Sequence, residues 1–207
     1  MFEARIKMQI GSDGMHPFSL DVDIRGSDGI TVLFGPSGAG KTSILRAIAG
    51  ILTPEKGRIC LDERIYFDSS NGTCLPIQDR RIGFVFQNLL LFPHFTVEQN
   101  ILYGVREHSR TVARRHVREL LSMLGISKTA HRYPRDLSGG EQQRVALARA
   151  LASNPSMMLF DEPLSAVDVA TRSRLLEEIS VMQEKSGIPF LYVTHNHSEA
   201  VRLSHSY

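Results

Sequence analysis

The chain has 207 residues, 24 Lys+Arg against 22 Asp+Glu for a net charge of +2, 42% hydrophobic and 22% charged residues. That mixture is globular and excludes a disordered tail, a collagen-like fibre and a low-complexity segment. The near-neutral balance also argues against bulk electrostatic binding of nucleic acid, although a local basic patch stays open.

Taken in chain order, Phe2 to Ile10 and Phe18 to Ile24 alternate apolar and polar residues, and a turn at Gly14 would join them as an antiparallel ribbon. Ile30 to Phe34 is a short continuous apolar run, the pattern of a strand buried on both faces. Glycines follow at once, and then Ile44, Leu45, Ile48 and Ile51 recur at helical spacing. Gly57 to Phe67 returns to short strand-like pieces, and Ile82 to Phe86 is another buried-strand pattern.

The middle of the chain is helical. Val112, Val117, Leu120, Leu121 and Leu124 fit one helix face, and Val145, Ala148, Leu151 and Ala152 fit a second that ends before Pro155. Met157 to Phe160 reads as a strand, Leu175, Leu176, Ile179 and Met182 as a helix face, and Phe190 to Thr194 as a further buried strand. The expectation is an α/β fold: a mainly parallel sheet with an antiparallel β ribbon and an inserted helical subdomain.

The two cysteines, Cys60 and Cys74, have neither metal-ligand nor redox spacing and read as reduced thiols. No apolar run approaches the roughly 20 residues that span a bilayer. Met1 to Arg5 does not read as a signal peptide. Any role at a membrane is therefore expected to come through a partner.

Gly35-Pro36-Ser37-Gly38-Ala39-Gly40-Lys41-Thr42 matches G-x-x-x-x-G-K-[ST] in full, between a strand and a helix, with Ser43 next. Glycines let the backbone wrap phosphate oxygens, and the helix N-terminus adds partial positive charge. Lys41 is expected to reach the β and γ phosphates of ATP, and Thr42 to ligate Mg²⁺.

Asp161 and Glu162 follow a buried apolar strand, where ligands sit in open α/β sheets. Asp161 suits support of Mg²⁺ through water, and Glu162 suits a general base toward an attacking water. Read alone, the pair could equally be solvated acids at a strand end. Leu137-Ser138-Gly139-Gly140-Glu141-Gln142 opens the helix before Pro155, with Ser138 as N-cap and two glycines exposing first-turn N–H groups.

The run LSGGEQ resembles the signature of ATP-binding cassette (ABC) ATPases. Gln87 matches that family's Q-loop, Ser165-Ala166-Val167-Asp168 its D-loop and His195 its switch histidine, in the family's order, from about Phe2 to His205. The resemblance implies a P-loop NTPase core over about 1–88 and 155–207 and a helical subdomain over about 89–154. It implies a head-to-tail dimer in which ATP on one copy's Gly35–Thr42 is closed by Ser138, Gly139, Gly140 and Gln142 of a second copy. Glu162 would polarise water, His195 would hold the γ-phosphate and the water, and Gln87 would ligate Mg²⁺ and sense a coupled partner. Valine stands at 167 where leucine is more usual. The family stacks adenine on an aromatic residue well before the loop lysine. No Tyr or Trp precedes Lys41, Phe18 and His16 lie too close and Phe2 too far, so that contact stays unassigned.

Arg80 to Gln87, then Leu91-Phe92-Pro93-His94-Phe95-Thr96-Val97 and Asn100-Ile101, are similar to bacterial importer cassettes. Thr53 to Ile59 and Gly72 to Pro76, with Thr42-Ser43, look most like the molybdate-importing ones. This implies an ATP-hydrolysing importer subunit at the cytoplasmic face of the inner membrane. Its permease would dock near Asn88–Tyr103, and a solute-binding protein would be reached only indirectly. Importers of sulfate, iron, polyamine or sugar remain alternatives, as does an ABC ATPase acting on nucleic acid. For the latter, Arg106, Arg110, Arg114, Arg115 and Arg118 would be the contact, otherwise a solvated helix face. A small-molecule kinase shares the phosphate loop but has no use for LSGGEQ. Only Asn196 to Tyr207 follow the switch histidine, shorter than the family pattern, so either a C-terminal truncation or a naturally short chain is expected, with an exposed sheet edge and lowered stability.

Overall fold

The computed structural model describes residues 1–11, 18–107, 109–165 and 167–204. The proposed Gly14 turn, His16, Ala166 and His205 to Tyr207 lie outside the described residues.

Strands β1 (Phe2–Ile10) and β2 (Phe18–Gly26) pair antiparallel in the register Phe2–Gly26 to Ile10–Phe18. Their alternation puts Phe2, Ala4, Ile6 and Met8 inside and Glu3, Arg5 and Lys7 on the outer face. After β3 (Ile30–Phe34) and helix α1 (Lys41–Ala49), strands β4 (Lys56–Leu61), β5 (Arg64–Asp68) and β6 (Thr73–Cys74) extend that ribbon into a five-stranded sheet, in the order β2-β1-β4-β5-β6. The second sheet is parallel. It is built from β3, β7 (Ile82–Val85), β8 (Met157–Asp161) and β9 (Phe190–Thr194), in the order β3-β9-β8-β7.

The two central strands are buried at every residue. Their side chains divide by the period of two. Met157, Leu159, Leu191 and Val193 face α1 and the inner side of the antiparallel sheet. Met158, Phe160, Phe190 and Tyr192 face a second core. Helices α2 (Val97–Gly104), α3 (Arg110–Met123), α4 (Gly139–Leu151) and α5 (Val169–Ser186) bring their apolar stripes to that core. Helix α6 (His197–Ser204) lies against β3. No helix among the described residues is long and apolar enough to cross a membrane.

Three expectations are corrected. β3 is not buried on both faces: it is one edge of the parallel sheet, Thr31 to Leu33 are only partly covered and Phe34 is 54% exposed. Ile51 is not on the helix after the glycine loop, because Gly50 at φ +84 ends α1 and leaves Ile51 exposed. Val112 is exposed as well. The buried face of α3 runs through Ala113, Val117, Leu120 and Leu121, one residue further round.

Helix α4 starts with a capping box. Ser138 Oγ accepts from the Glu141 N–H, and a Glu141 carboxylate oxygen accepts from the Ser138 N–H (2.8 Å) and hydroxyl (2.7 Å). Those bonds hold the Glu141 carboxyl below the usual carboxylate range. A lowered folded-state value means that its stabilisation is present above the ordinary glutamate value and is lost as pH falls through the folded one. Glu141→Gln keeps the box without the titration. Thermal unfolding below about pH 4.5 should therefore show the wild type losing stability more steeply than Glu141→Gln.

A buried guanidinium secures the other end of α1. Arg80 is 1% exposed, and its Nη1 donates to the carbonyls of Ala47 and Ile48, both at 2.8 Å, while Nε donates to Leu75 O at 2.9 Å. A cation belongs at that helix end, where it serves the Ile48 and Leu75 carbonyls and adds to the Gly50 N–H at Ala47 O. Arg80→Met should cost about 3 kcal/mol, because buried acceptors lose their donor. The melting temperature then falls by about 6–12 °C, and Arg80→Lys recovers only part, since an ammonium lacks the planar fork.

Candidate nucleotide site

The C-terminal ends of β3, β8 and β9 finish side by side. The register pairs Phe34 with Thr194 and Asp161 with Val193. The chain leaves β3 into Gly35, Pro36, Ser37, Gly38 and Ala39, then enters α1 through Gly40. Gly38 and Gly40 both have φ +83, a conformation that costs an L side chain about 1 kcal/mol or more. A Cβ on Gly40 would also lie 3.0 Å from Leu20 Cδ1 and 3.3 Å from Phe18 Cε1. Phe18 is 46% exposed beside this loop and is not a core residue of β2.

Lys41, 8% exposed, folds back over the loop. Its ammonium donates to the carbonyls of Gly35 and Pro36, each at 2.8 Å, and stands 3.9 Å from Glu162 Oε1. The Thr42 hydroxyl donates to Asp161 Oδ1 at 2.8 Å. Asp161 closes β8 and is 5% exposed. Burial raises its carboxyl above the usual range, and the Thr42 hydrogen bond opposes that shift. Ser43 continues into α1.

Glu162 takes φ +45, and its N–H donates to Val193 O at 3.0 Å. This left-handed turn swings its side chain off the strand. One carboxylate oxygen meets His195 Nδ1 at 2.8 Å, and His195 is itself half exposed. One edge therefore gathers an ammonium, a helix N-terminus with free N–H groups, a hydroxyl, two carboxylates and an imidazole. Hard oxygen donors at Thr42 and Asp161 fit Mg²⁺ beside phosphate. Such a set can bind a polyphosphate and activate a water against it.

Gln87 is exposed, two residues beyond the pairing of Val85 with Phe160, at the same edge of the sheet. The loop after it is strained, with Leu89 at φ +54 and Leu90 at φ +47. Arg149, in the last turn of α4, grips this loop: Nη1 donates to Leu90 O at 2.6 Å and Nη2 to Leu89 O at 2.7 Å. Its guanidinium also lies over the Phe92 ring, 5.4 Å from the centroid. Asn100 is fully buried and clamps the next turn through Phe92, Phe95 and Thr96. Leu90, Leu102 and Tyr103 nearby are exposed.

The signature residues are not part of this edge. Ser138, Gly139 and Gly140 form the N-terminus of α4, and none of the described hydrogen bonds or ion pairs joins them to the glycine loop. Gly139 has open space where a Cβ would be. Gln142 turns inward and donates to the carbonyls of Pro134 (3.0 Å) and Leu137 (3.3 Å). Arg149, Arg172 and Glu199 escaped the sequence reading, and Asn100 entered it only through the importer resemblance and not as a clamp. Their only signal there was a polar residue within a helical pattern, which a solvated face would give equally.

Three comparisons place this geometry. The family model described as ABC transporter matches residues 19–165. The chain is 41% identical over 204 residues to the molybdenum import ATP-binding protein ModC of Pasteurella multocida (strain Pm70), covering 99% of this chain and 56% of that protein. It is 40% identical over 205 residues to ModC of Haemophilus influenzae (strain ATCC 51907 / DSM 11121 / KW20 / Rd), with the same coverage. The chain thus spans about half the length of the curated relatives it matches. Among solved structures, the ATP-binding cassette MJ0796, dimeric in a post-hydrolysis state bound to ADP and Pi, superposes with a TM-score of 0.79 at 29% identity. That match covers 97% of this chain and 90% of the other. With the glycine loop, the paired carboxylates and the two-sheet fold all in place, the chain belongs to the ABC transporter family.

Proposed function

We propose that the chain is the ATP-hydrolysing subunit of an importer, that it works as a head-to-tail dimer, and that the imported solute is molybdate. The observation that carries the hydrolytic part is the meeting of Lys41, Thr42–Asp161 and Glu162–His195 at the ends of three parallel strands. The solute rests on the names of the relatives alone.

In this reading the triphosphate draws Lys41 off the carbonyls of Gly35 and Pro36, which hold it meanwhile. The N–H groups of residues 38 to 43 take up the phosphate oxygens. Thr42 and Gln87 would hold Mg²⁺, with Asp161 behind, where the ion neutralises phosphate charge. Glu162 accepts the proton of a water whose oxygen bonds to the γ-phosphorus. The bond from that phosphorus to the bridging oxygen breaks, and ADP leaves with the electron pair. His195, hydrogen-bonded to Glu162, would orient the carboxylate and hold the γ-phosphate and the water.

The open N-terminus of α4 supports closure by Ser138, Gly139 and Gly140 of a second copy, with Gln142 holding that turn from behind. The dimeric cassette MJ0796 is consistent with this arrangement. Exposed Leu90, Leu102 and Tyr103 beside a braced loop suit a permease docking over Asn88–Tyr103, at the cytoplasmic face of the inner membrane.

Glu162→Gln should lower the turnover of ATP by about 10²–10⁴-fold and keep nucleotide affinity. Its elution in Mg-ATP on a sizing column should shift to a dimer. Wild-type-like turnover in this variant would remove Glu162 as the base. Lys41→Ala should instead weaken ATP binding by about 10–150-fold, the loss of a charge-assisted contact to phosphate, as read by titration with a fluorescent ATP analogue.

A further inference from the structure

The strand that delivers His195 ends in a buried network that the hydrolytic chemistry above does not use. Glu199, in α6, is 3% exposed. One of its oxygens accepts from Tyr192 Oη at 3.0 Å and Thr194 Oγ1 at 2.8 Å. The other stands 3.4 Å from Arg172 Nε. Arg172, in the first turn of α5, donates through Nη2 to Val167 O at 2.7 Å. Thr194 Oγ1 in turn accepts from the N–H of Asn196 at 3.0 Å. Contacts thus run from the turn after Glu162, through Arg172 and its ion pair with Glu199, to the residues on both sides of His195, although Arg172 Nε makes no hydrogen bond to the carboxylate.

The energetics say that this is not simply packing. Burying the Glu199 carboxylate costs several kcal/mol, its partner Arg172 keeps 20% of its side chain exposed, and apolar side chains of similar size often stabilise a fold as well. What the ion pair adds is a fixed geometry. Its position tells what is fixed: Glu199, Arg172, Thr194 and Asn196 line the same cleft of about 170 Å³ as Glu162 and His195. The imidazole is half exposed, and its described hydrogen bond is the one to Glu162. The 2.8 Å contact with Glu162 therefore depends on the backbone that carries it.

We propose that Glu199 and Arg172 are positioning residues for hydrolysis. They tie the turn at Val167 to the end of β9 and hold His195 in register with Glu162. The inference rests on the hydrolytic reading above. It makes the turn before α5 and the switch histidine a single mechanical unit, so that whatever moves one moves the other.

The test uses the full chain with Glu199→Gln and the apolar double replacement Glu199→Leu with Arg172→Met. Glu199→Gln should lower kcat by about 10–100-fold, the usual cost of misplacing a group by about an ångström. KM and the affinity for a fluorescent ATP analogue should stay within about 2-fold. The double replacement removes the ion pair but leaves the Tyr192 and Thr194 hydroxyls without their acceptor, so it should melt below the wild type, be folded at the assay temperature and still be slow. Arg172→Lys, which keeps the charge but loses the fork, should rescue only partly. Wild-type kcat in the folded double replacement overturns the proposal. So does a fall in kcat that merely tracks lost affinity and lost folding across all the variants.

A second readout separates this from failure of the hydrolytic reading. The ¹⁵N resonance of His195 Nδ1, identified by its disappearance in His195→Gln, should move off its hydrogen-bonded position in Glu199→Gln. That holds whether or not the wild type turns over. An unmoved resonance overturns the positioning role, while slow wild-type turnover with a moved resonance faults the hydrolytic reading alone.

Discussion

Three strands that stop level with one another are the constraint on which the site depends. Parallel pairing aligns Phe34 with Thr194 and Asp161 with Val193, so residues far apart in sequence emerge at one edge. Each strand then turns by a different local device. After β3 it is glycines at positive φ, after β8 a left-handed Glu162, and after β9 a short connection into α6. The core on both faces of β8 and β9 makes this edge rigid, since neither strand has an exposed residue that could yield.

A second theme is the use of arginine as a brace for backbone rather than as a surface charge. Arg80 holds the carbonyls that finish α1, Arg149 holds those of Leu89 and Leu90, and Arg172 holds that of Val167. Arg80 and Arg149 each reach more than one carbonyl with the planar fork, and Arg172 reaches one. Burial pushes the Arg80 and Arg149 guanidinium groups below their usual range, yet a group so basic stays charged at neutral pH. The braces join loops to helix ends, which are the parts of a domain with fewest bonds of their own.

Much of this was legible in the residues alone, because the signals were local. A glycine loop between an apolar strand and an amphipathic helix is a continuous pattern, and so is an apolar strand ending in Asp161–Glu162. The resemblance to the family signature added an expected role in trans for Ser138 to Gly140, which no contact within one chain could suggest. What stayed hidden depends on tertiary contacts. Arg80 and Arg81 are neighbours of the same type, yet one is 1% exposed and the other lies at the surface with φ +51. Nothing in their spacing distinguishes them. Glu199 reads as one more acid near a helix start until Tyr192 and Thr194 are seen to point at it. The edge position of β3 depends on strand order, which apolar runs do not encode.

Helix α4 carries the signature glycines at one end and Arg149 at the other. Its 13 residues make a rod about 20 Å long. A tilt of about 5° around its midpoint moves each end by about 1 Å, in opposite directions. That displacement is enough to break a hydrogen bond, so the loop after Gln87 must follow or let go. The rod is thus a see-saw: a push where a neighbouring copy would press is delivered, inverted, at Leu89 and Leu90.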